Sequence, residues 1–278
     1  MNIGIVGLGL IGGSFAKSIK SKTSHTVYGI DLDVETMMFA RMCGAIDGTL
    51  GDDSIKDCDL ILIALRPNAA EKWIEENAAK ISAKTIVTDM CGIKRTVCEK
   101  FSEIAGKYGF SYIGGHPMAG KERGGFVNSS EFLFEGASMI LTPDEKTDIV
   151  MLEKLKTFYT DLGFGTLTFS TPDEHDRIIA YTSQLAHIAS SAYIKSPEAL
   201  RRRGFSAGSF KDMTRVSRMD EKMWTELCIT NSDYLIDQLE ILINNLGGYL
   251  DALKNSDSEK LCALFKEGKE MKASAGGN

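Results

Sequence analysis

The chain lacks the features that would take it out of ordinary soluble chemistry. Its 278 residues contain no stretch approaching the ~20 apolar residues of a membrane span, and no basic, apolar and small-residue leader precedes the first strand-like segment. No membrane partner is expected, and a cytoplasmic protein is the simplest reading. Positive charge is not in excess: 32 Lys and Arg stand against 38 Asp and Glu, a net charge of −6, where a nucleic-acid partner would want a basic face. The six cysteines, at 43, 58, 91, 98, 228 and 262, form no CxxC pair and no Cys/His spacing that suits zinc. Neither a metal site nor a redox dithiol is expected, and reduced thiols fit a reducing compartment. Histidine is scarce as well, with four residues at 25, 116, 175 and 187. An imidazole titrating near ~6.5 can be a base, a ligand or a packed core group, and its flanks must decide.

What is present suits two domains of ordinary size, since 43% hydrophobic and 25% charged residues mark a globular chain. The first half opens with the apolar run Asn2 to Gly7, followed by "GLGLIGGSFAKSIKS", where glycines give way to helical spacing. Gly7, Gly9 and Gly12 form G-x-G-x-x-G, and Leu10 and Ile11 lie between them at the start of the helix. The pattern suits a dinucleotide: a tight turn, backbone approach to a pyrophosphate, and helix amides aimed at the anion. A second strand, Thr26 to Asp31, ends in a carboxylate nineteen residues after Gly12, where a ribose hydroxyl is accepted. Asp31 favours NAD over NADP, whose extra phosphate it would repel. Its plainer alternative is to cap the helix starting near Val34.

Further apolar runs, at 59–65, 84–89, 110–115, 137–143 and 164–170, alternate with helix-length segments, including a helix from about Thr147 to Leu162. Such alternation predicts an α/β fold with a doubly wound parallel sheet, a Rossmann domain over residues 1–171. Ligands of such sheets bind outside the carboxyl ends of the strands, where "TDMCGIK" and "GGHPMAG" both fall. His116 is accordingly expected in a loop beside the cofactor.

From Pro172 the pattern turns helical, which predicts an all-helical domain over residues 172–278. "PDEHDRIIAYTSQLAHIASSAYI" reads as one long helix with acidic residues in its first turn. Gly247 and Gly248 suggest an interruption of a later helix, and the last seven residues or so should fray. Helices with apolar faces left over point to a dimer. Residues 201 to 218 hold six Lys or Arg against one Asp in an otherwise acidic chain, either a solvated face or a local anion site.

Taken together, "GLGLIGGS", "VTDMCGIK", "GGHPMAGKERGGF", "TSQLAHIAS" and "GSFKDMTR" followed by "MW" resemble the prephenate dehydrogenase family of tyrosine biosynthesis. The resemblance spans essentially the whole chain. It implies a Rossmann domain with a C-terminal helical dimerisation domain, a homodimer, and NAD-dependent oxidative decarboxylation of prephenate to 4-hydroxyphenylpyruvate. His116 matches the family's catalytic histidine, which takes the proton of the substrate's ring hydroxyl. Arg215 matches the arginine that binds a prephenate carboxylate, and Lys211 and Asp212 match a charged pair linked to substrate binding and the subunit interface. His187 matches a histidine at the substrate's side chain, and Trp224 an aromatic residue of the same pocket. Asp89 and Gly92 join Gly7, Gly9, Leu10, Ile11, Gly12 and Asp31 as expected cofactor-binding positions.

Two departures stand out. The family's D-x-G-S-x-K here reads Asp89-Met90-Cys91-Gly92-Ile93-Lys94, so Gly92 replaces a serine that orients the histidine and the nicotinamide. Gln184 stands where relatives often carry a first histidine. Arogenate is the rival substrate, with Gln184 and Lys121 the residues expected near the group that differs. A β-hydroxyacid dehydrogenase would carry a lysine on the helix from Pro172 to Ile194, and there is none. A non-catalytic NAD-binding protein is the remaining alternative, motivated by the missing serine. No fused regulatory or mutase module is expected.

Overall fold

The computed structural model describes residues 1–145 and 147–276. Its strands are β1 (Asn2–Val6), β2 (Thr26–Ile30), β3 (Gly48–Thr49), β4 (Leu60–Ile63), β5 (Ile86–Asp89), β6 (Ser111–Pro117), β7 (Ser138–Thr142) and β8 (Thr166–Phe169). Helices α1 (Leu10–Lys22), α2 (Val34–Met42), α3 (Asp52–Ile55), α4 (Pro67–Asn77), α5 (Arg95–Tyr108) and α6 (Ile149–Asp161) connect them. One eight-stranded sheet results, in the order β3-β2-β1-β4-β5-β6-β7-β8.

Alternation along the strands divides the core between the two faces. Leu60 and Leu62 join Phe15 and Ile19 of α1 and Phe158 of α6 on one side, whereas Ile61 and Ile63 join Ile74 of α4 and Phe101 of α5 on the other. Side chains buried this completely contribute roughly 1.5–3 kcal/mol each, so the central strands stabilise the sheet that carries the site.

The sheet differs from the expected all-parallel one at its far edge. β6 and β7 are antiparallel, and β8 runs parallel to β7. Between β6 and β7 the chain forms only a loop and a short turn at Phe126–Asn128, and without a crossover helix the next strand enters from the same end. One consequence corrects the position of His116: β6 continues through Pro117, with His116 opposite Ile140, so the histidine lies on a paired strand and not in a loop. The preceding glycines serve packing. A Cβ on Gly114 would lie 2.3 Å from the Thr142 hydroxyl, and one on Gly115 would lie 2.8 Å from the Asp89 carbonyl oxygen.

Every element after Phe169 is helical among the described residues: α7 (Pro172–Ile179), α8 (Ala186–Tyr193), α9 (Gly208–Thr214), α10 (Glu221–Thr230), α11 (Ser232–Lys254) and α12 (Ser258–Ala275). α7 and α8 are two halves of the expected long helix, joined by a π-helical stretch, Ala180–Leu185. Such widened turns are frequent at functional sites. Gly247 and Gly248 do not interrupt α11, because α12 packs along it; Leu264 lies 3.8 Å from where a Gly248 Cβ would be, and the Tyr249 hydroxyl donates to the Leu264 carbonyl at 3.2 Å. Tertiary contacts here outweigh a propensity cost of about 1 kcal/mol per glycine. Of the last residues, expected to fray, those as far as Ala275 belong to α12, and residues 277–278 lie outside the described residues.

Candidate active site

The glycine turn has the form a bound phosphate requires. Gly7 takes φ +85°, and a Cβ on Gly12 would lie 1.8 Å from the Gly7 carbonyl oxygen, so neither position admits a side chain. A Cβ on Gly9, at the N-terminus of α1, would meet nothing within 4 Å, so this side of the turn is open where the Leu10 and Ile11 amides begin the helix. Asp31 closes the turn, accepting from the Leu8 amide at 2.7 Å and the Asp33 amide at 2.9 Å. The cap of α2 is Asp33, bonded to the Thr36 amide, which removes the plainer reading of Asp31.

Asp89 sits at the end of β5 with no exposure to solvent. Its carboxylate pairs with the equally buried Lys94 ammonium and accepts from the Tyr112 hydroxyl at 2.7 Å and the Cys91 amide at 2.8 Å. Lys94 also donates to the Gly115 carbonyl at 2.6 Å, immediately before His116. Burial, the largest single influence, would lower the Lys94 pKa, but Asp89 together with Cys98 and Cys91 reverses it and holds the ammonium above its usual value. The Asp89 side chain thus braces β5 against β6, with its polar capacity directed inward, whereas the expectation had placed it at the cofactor. Cys91 is equally inward: its thiol lies 3.5 Å from the Leu65 carbonyl, and burial pushes its pKa far up.

Beyond this brace, His116 Nδ1 lies 2.8 Å from His175 Nε2, and His175 Nδ1 lies 2.7 Å from Asp176 Oδ1. The Asp176 carboxylate also accepts from the Lys94 amide at 2.7 Å and the Arg95 amide at 2.9 Å, at the N-terminus of α5. Burial favours the neutral form of Asp176, but the bonds from His175 and from these amides outweigh it and hold its pKa below the usual value. Three of these side chains escape a reading of the sequence. "EHD" at 174–176 looks like the acidic first turn of a helix, and Lys94 stands in sequence only as the last residue of the segment Asp89 to Lys94, with no role attached.

Burial, followed by the neighbouring His175 and Lys94, pushes His116 well below the ordinary imidazole value of 6.5. A base works while neutral and is lost as pH falls through its pKa. If His116 is the base, kcat/KM is therefore expected to be level from about pH 8 down to about 6.5 and to fall only at lower pH, and a rising limb centred at or above pH 6.5 would contradict this placement.

Gly92 faces the other ring nitrogen. A Cβ there would lie 3.8 Å from His116 Nε2 and 3.7 Å from the Leu227 methyls, so a serine would fit by size, and this segment as it stands offers no hydroxyl to His116. Leu227 belongs to α10, which is held over the sheet by Arg66–Asp220 at 2.7 Å and by the Asn68 amide donating to Glu226 at 2.8 Å. One turn before Leu227 on the same face, Trp224 stacks on His187 with ring centroids 3.7 Å apart. His187 Nδ1 donates to the Ser183 carbonyl at 2.8 Å; burial lowers its pKa, the Arg215 charge adds to the lowering, and Nε2 is left as an acceptor. His116 and Leu227 thus meet at Gly92, Trp224 and His187 stack one turn away, and Arg215 is near enough to act on the His187 pKa.

Other expected site residues lie differently. Gln184 is buried, with its amide donating to the Leu227 carbonyl at 3.1 Å and accepting from Asn231 at 2.8 Å, so it ties α10 and α11 to the π-helical turn and does not line a pocket. Asn231 has no solvent exposure, and it was not anticipated from sequence. Lys121 donates to the Asn128 carbonyl of its own loop at 2.8 Å. Lys211 and Asp212 on α9 are exposed, as is Arg215 in the turn that follows.

Residues 15–166 match the family model described as prephenate dehydrogenase, nucleotide-binding domain, and residues 171–267 match prephenate dehydrogenase, dimerization domain. The prephenate dehydrogenase of Bacillus subtilis (strain 168) is 29% identical over 277 residues, covering 96% of this chain and 74% of the relative. A crystal structure of prephenate dehydrogenase from A. aeolicus in complex with hydroxyphenyl propionate and NAD+ superposes with a TM-score of 0.87 at 28% identity, over 99% of this chain and 98% of that one. Synechocystis arogenate dehydrogenase does so with a TM-score of 0.82 at 26% identity, over 99% and 100% of the two chains. With both domain models matched in order along a chain that carries the glycine turn, the chain belongs to the prephenate dehydrogenase family and is a dehydrogenase of the prephenate/arogenate type.

Proposed function

We propose that the protein catalyses the NAD-dependent oxidative decarboxylation of prephenate to 4-hydroxyphenylpyruvate. Residues 1–171 would hold the cofactor and 172–278 the substrate and a second copy of the chain. The observation that supports this reading is that His116 of the sheet domain faces Gly92 and Leu227, one turn from the Trp224–His187 stack, whose histidine feels the Arg215 charge.

The Gly7–Gly12 turn and Asp31 would hold NAD, which would supply the hydride acceptor. His116 removes the proton of the ring hydroxyl, a task for which an imidazole kept neutral at pH 7 is suited. Prephenate is a dianion, and Arg215 offers a carboxylate the bidentate fork that a lysine cannot. His187 and Trp224 present an acceptor nitrogen and a flat apolar face to the substrate's side chain. Loss of the ring carboxylate restores aromaticity and makes the step irreversible. Lys211 and Asp212, on the same exposed stretch as Arg215, complete the charged rim. Arg215→Ala is expected to raise the prephenate KM about 10- to 100-fold with little change in kcat, the size of one lost charged hydrogen bond; an unchanged KM would remove Arg215 from the site.

The resemblance to the Synechocystis arogenate dehydrogenase supports a second reading, in which an amino acid side chain replaces the pyruvyl group. Steady-state turnover of prephenate and arogenate, each with NAD and NADP, separates the two. Prephenate with NAD is expected to give the highest kcat/KM, and a preference for arogenate would replace the substrate while keeping the chemistry. A homodimer is supported by the apolar side chains that α11 leaves exposed, among them Ile236, Ile243, Leu246, Leu250 and Leu253. The free thiols suit a cytoplasmic location.

A further inference from the structure

We propose that His175 and Asp176 are positioning residues that hold His116 in the tautomer protonated at Nδ1, leaving Nε2 as the base, and so take over the task of the serine that Gly92 replaces. The inference rests on the proposed role of His116 as proton acceptor and names the nitrogen that performs it.

Each link of the chain restricts the next. Asp176 is an acceptor from four directions: His175 Nδ1, the Lys94 and Arg95 amides, and the Arg95 guanidinium at 3.5 Å. Two of these donors are backbone amides that cannot reverse, so the carboxylate stays ionised and His175 must carry its proton on Nδ1. A neutral His175 then has only a lone pair at Nε2. That lone pair lies 2.8 Å from His116 Nδ1, so His116 must be the donor there, and its own lone pair is left on Nε2. Nε2 is the nitrogen directed at the Gly92 and Leu227 side of the cleft. An isolated imidazole has no such obligation, and β6 pairing fixes only its backbone.

The chain also accounts for the charge that appears during the reaction. When Nε2 takes a proton, the Nδ1–H bond to His175 is unchanged, and the new imidazolium faces a lone pair backed by the Asp176 carboxylate. No proton needs to pass to His175 or Asp176. The whole device is anchored across the domain junction: His175 lies 59 residues from His116 in sequence, and Asp176 caps α5 from the second turn of α7.

A long-range 1H–15N spectrum of the 15N-histidine-labelled protein at neutral pH tests the tautomers directly, with His116 assigned by the signals lost in His116→Asn. Protonated Nδ1 and bare Nε2 are expected for both His116 and His175, and a proton on Nε2 of His116 overturns the proposal. In kinetics, His175→Ala should lower kcat ~100-fold or more while the substrate KM and the NAD Kd stay within about threefold. His175→Gln, whose amide oxygen reaches about as far as Nε2 did, should recover at least about tenfold of that loss. An unchanged kcat in His175→Ala, or equal losses in both variants, overturns the positioning role. If the wild type turns over neither prephenate nor arogenate, the functional reading fails, and the tautomer spectrum still decides this one; it does so as well if a variant does not fold.

Discussion

His116→Asn is expected to lower kcat by about 10³-fold while NAD and prephenate still bind within about threefold of the wild-type affinities. Asparagine keeps a polar side chain on β6 but cannot accept a proton near neutral pH, so the loss should fall on the chemical step. The strand beneath is held independently: Gly115 is fastened by Lys94, and His116 is paired with Ile140. Single-turnover rates and isothermal titration of each ligand separate the two effects. A variant that keeps kcat within tenfold of the wild type would remove His116 from the chemistry, and one that binds neither ligand would make it structural.

The second large effect should be on stability. Lys94→Met leaves the buried Asp89 carboxylate without its counter-charge and the Gly115 carbonyl without its donor. Breaking one side of a buried pair costs about 3–5 kcal/mol, because the remaining charge stays desolvated. Urea unfolding should show a loss of that size, and activity should fall with it, since the same ammonium holds the strand that carries His116. Replacing both partners, as Asp89→Asn with Lys94→Met, should restore part of the stability. A loss below about 1 kcal/mol in Lys94→Met would mean that the Asp89 charge is satisfied by Tyr112 and the amides alone.

How legible these features were depended on the range of the signal. The strands of the first half other than the two-residue β3 (Gly48–Thr49) announced themselves as short apolar runs, and α6 appears within two residues of the expected start, because periodicity is local. The glycine turn and Asp31 were legible for the same reason, since a turn, a helix start and a carboxylate at the end of the next strand lie within 25 residues. Misreadings came where a distant contact overruled local chemistry. "GGHP" has turn composition, yet β7 pairs with it and its glycines admit the side chains of Thr142 and Met139. Gln184 lies near His187 in sequence, yet the π-helical turn directs it to Asn231, 47 residues away.

From sequence alone followed the nucleotide turn, the change from sheet to helices, the family, and His116 as the side chain to watch. Each depends on residue types at fixed short spacing, which a chain displays before it folds. The sheet reversal after β6, the brace of Asp89 and Lys94, the stacking of Trp224 on His187, and the partner of His116 were decided by tertiary structure. His116 acquires an orientation only when α7 docks on the N-terminus of α5 and Asp176 binds the amides of Lys94 and Arg95, 82 and 81 residues away. Hydrogen bonds of that span leave no periodic trace in a sequence, because the geometry they need exists only after the two domains have packed.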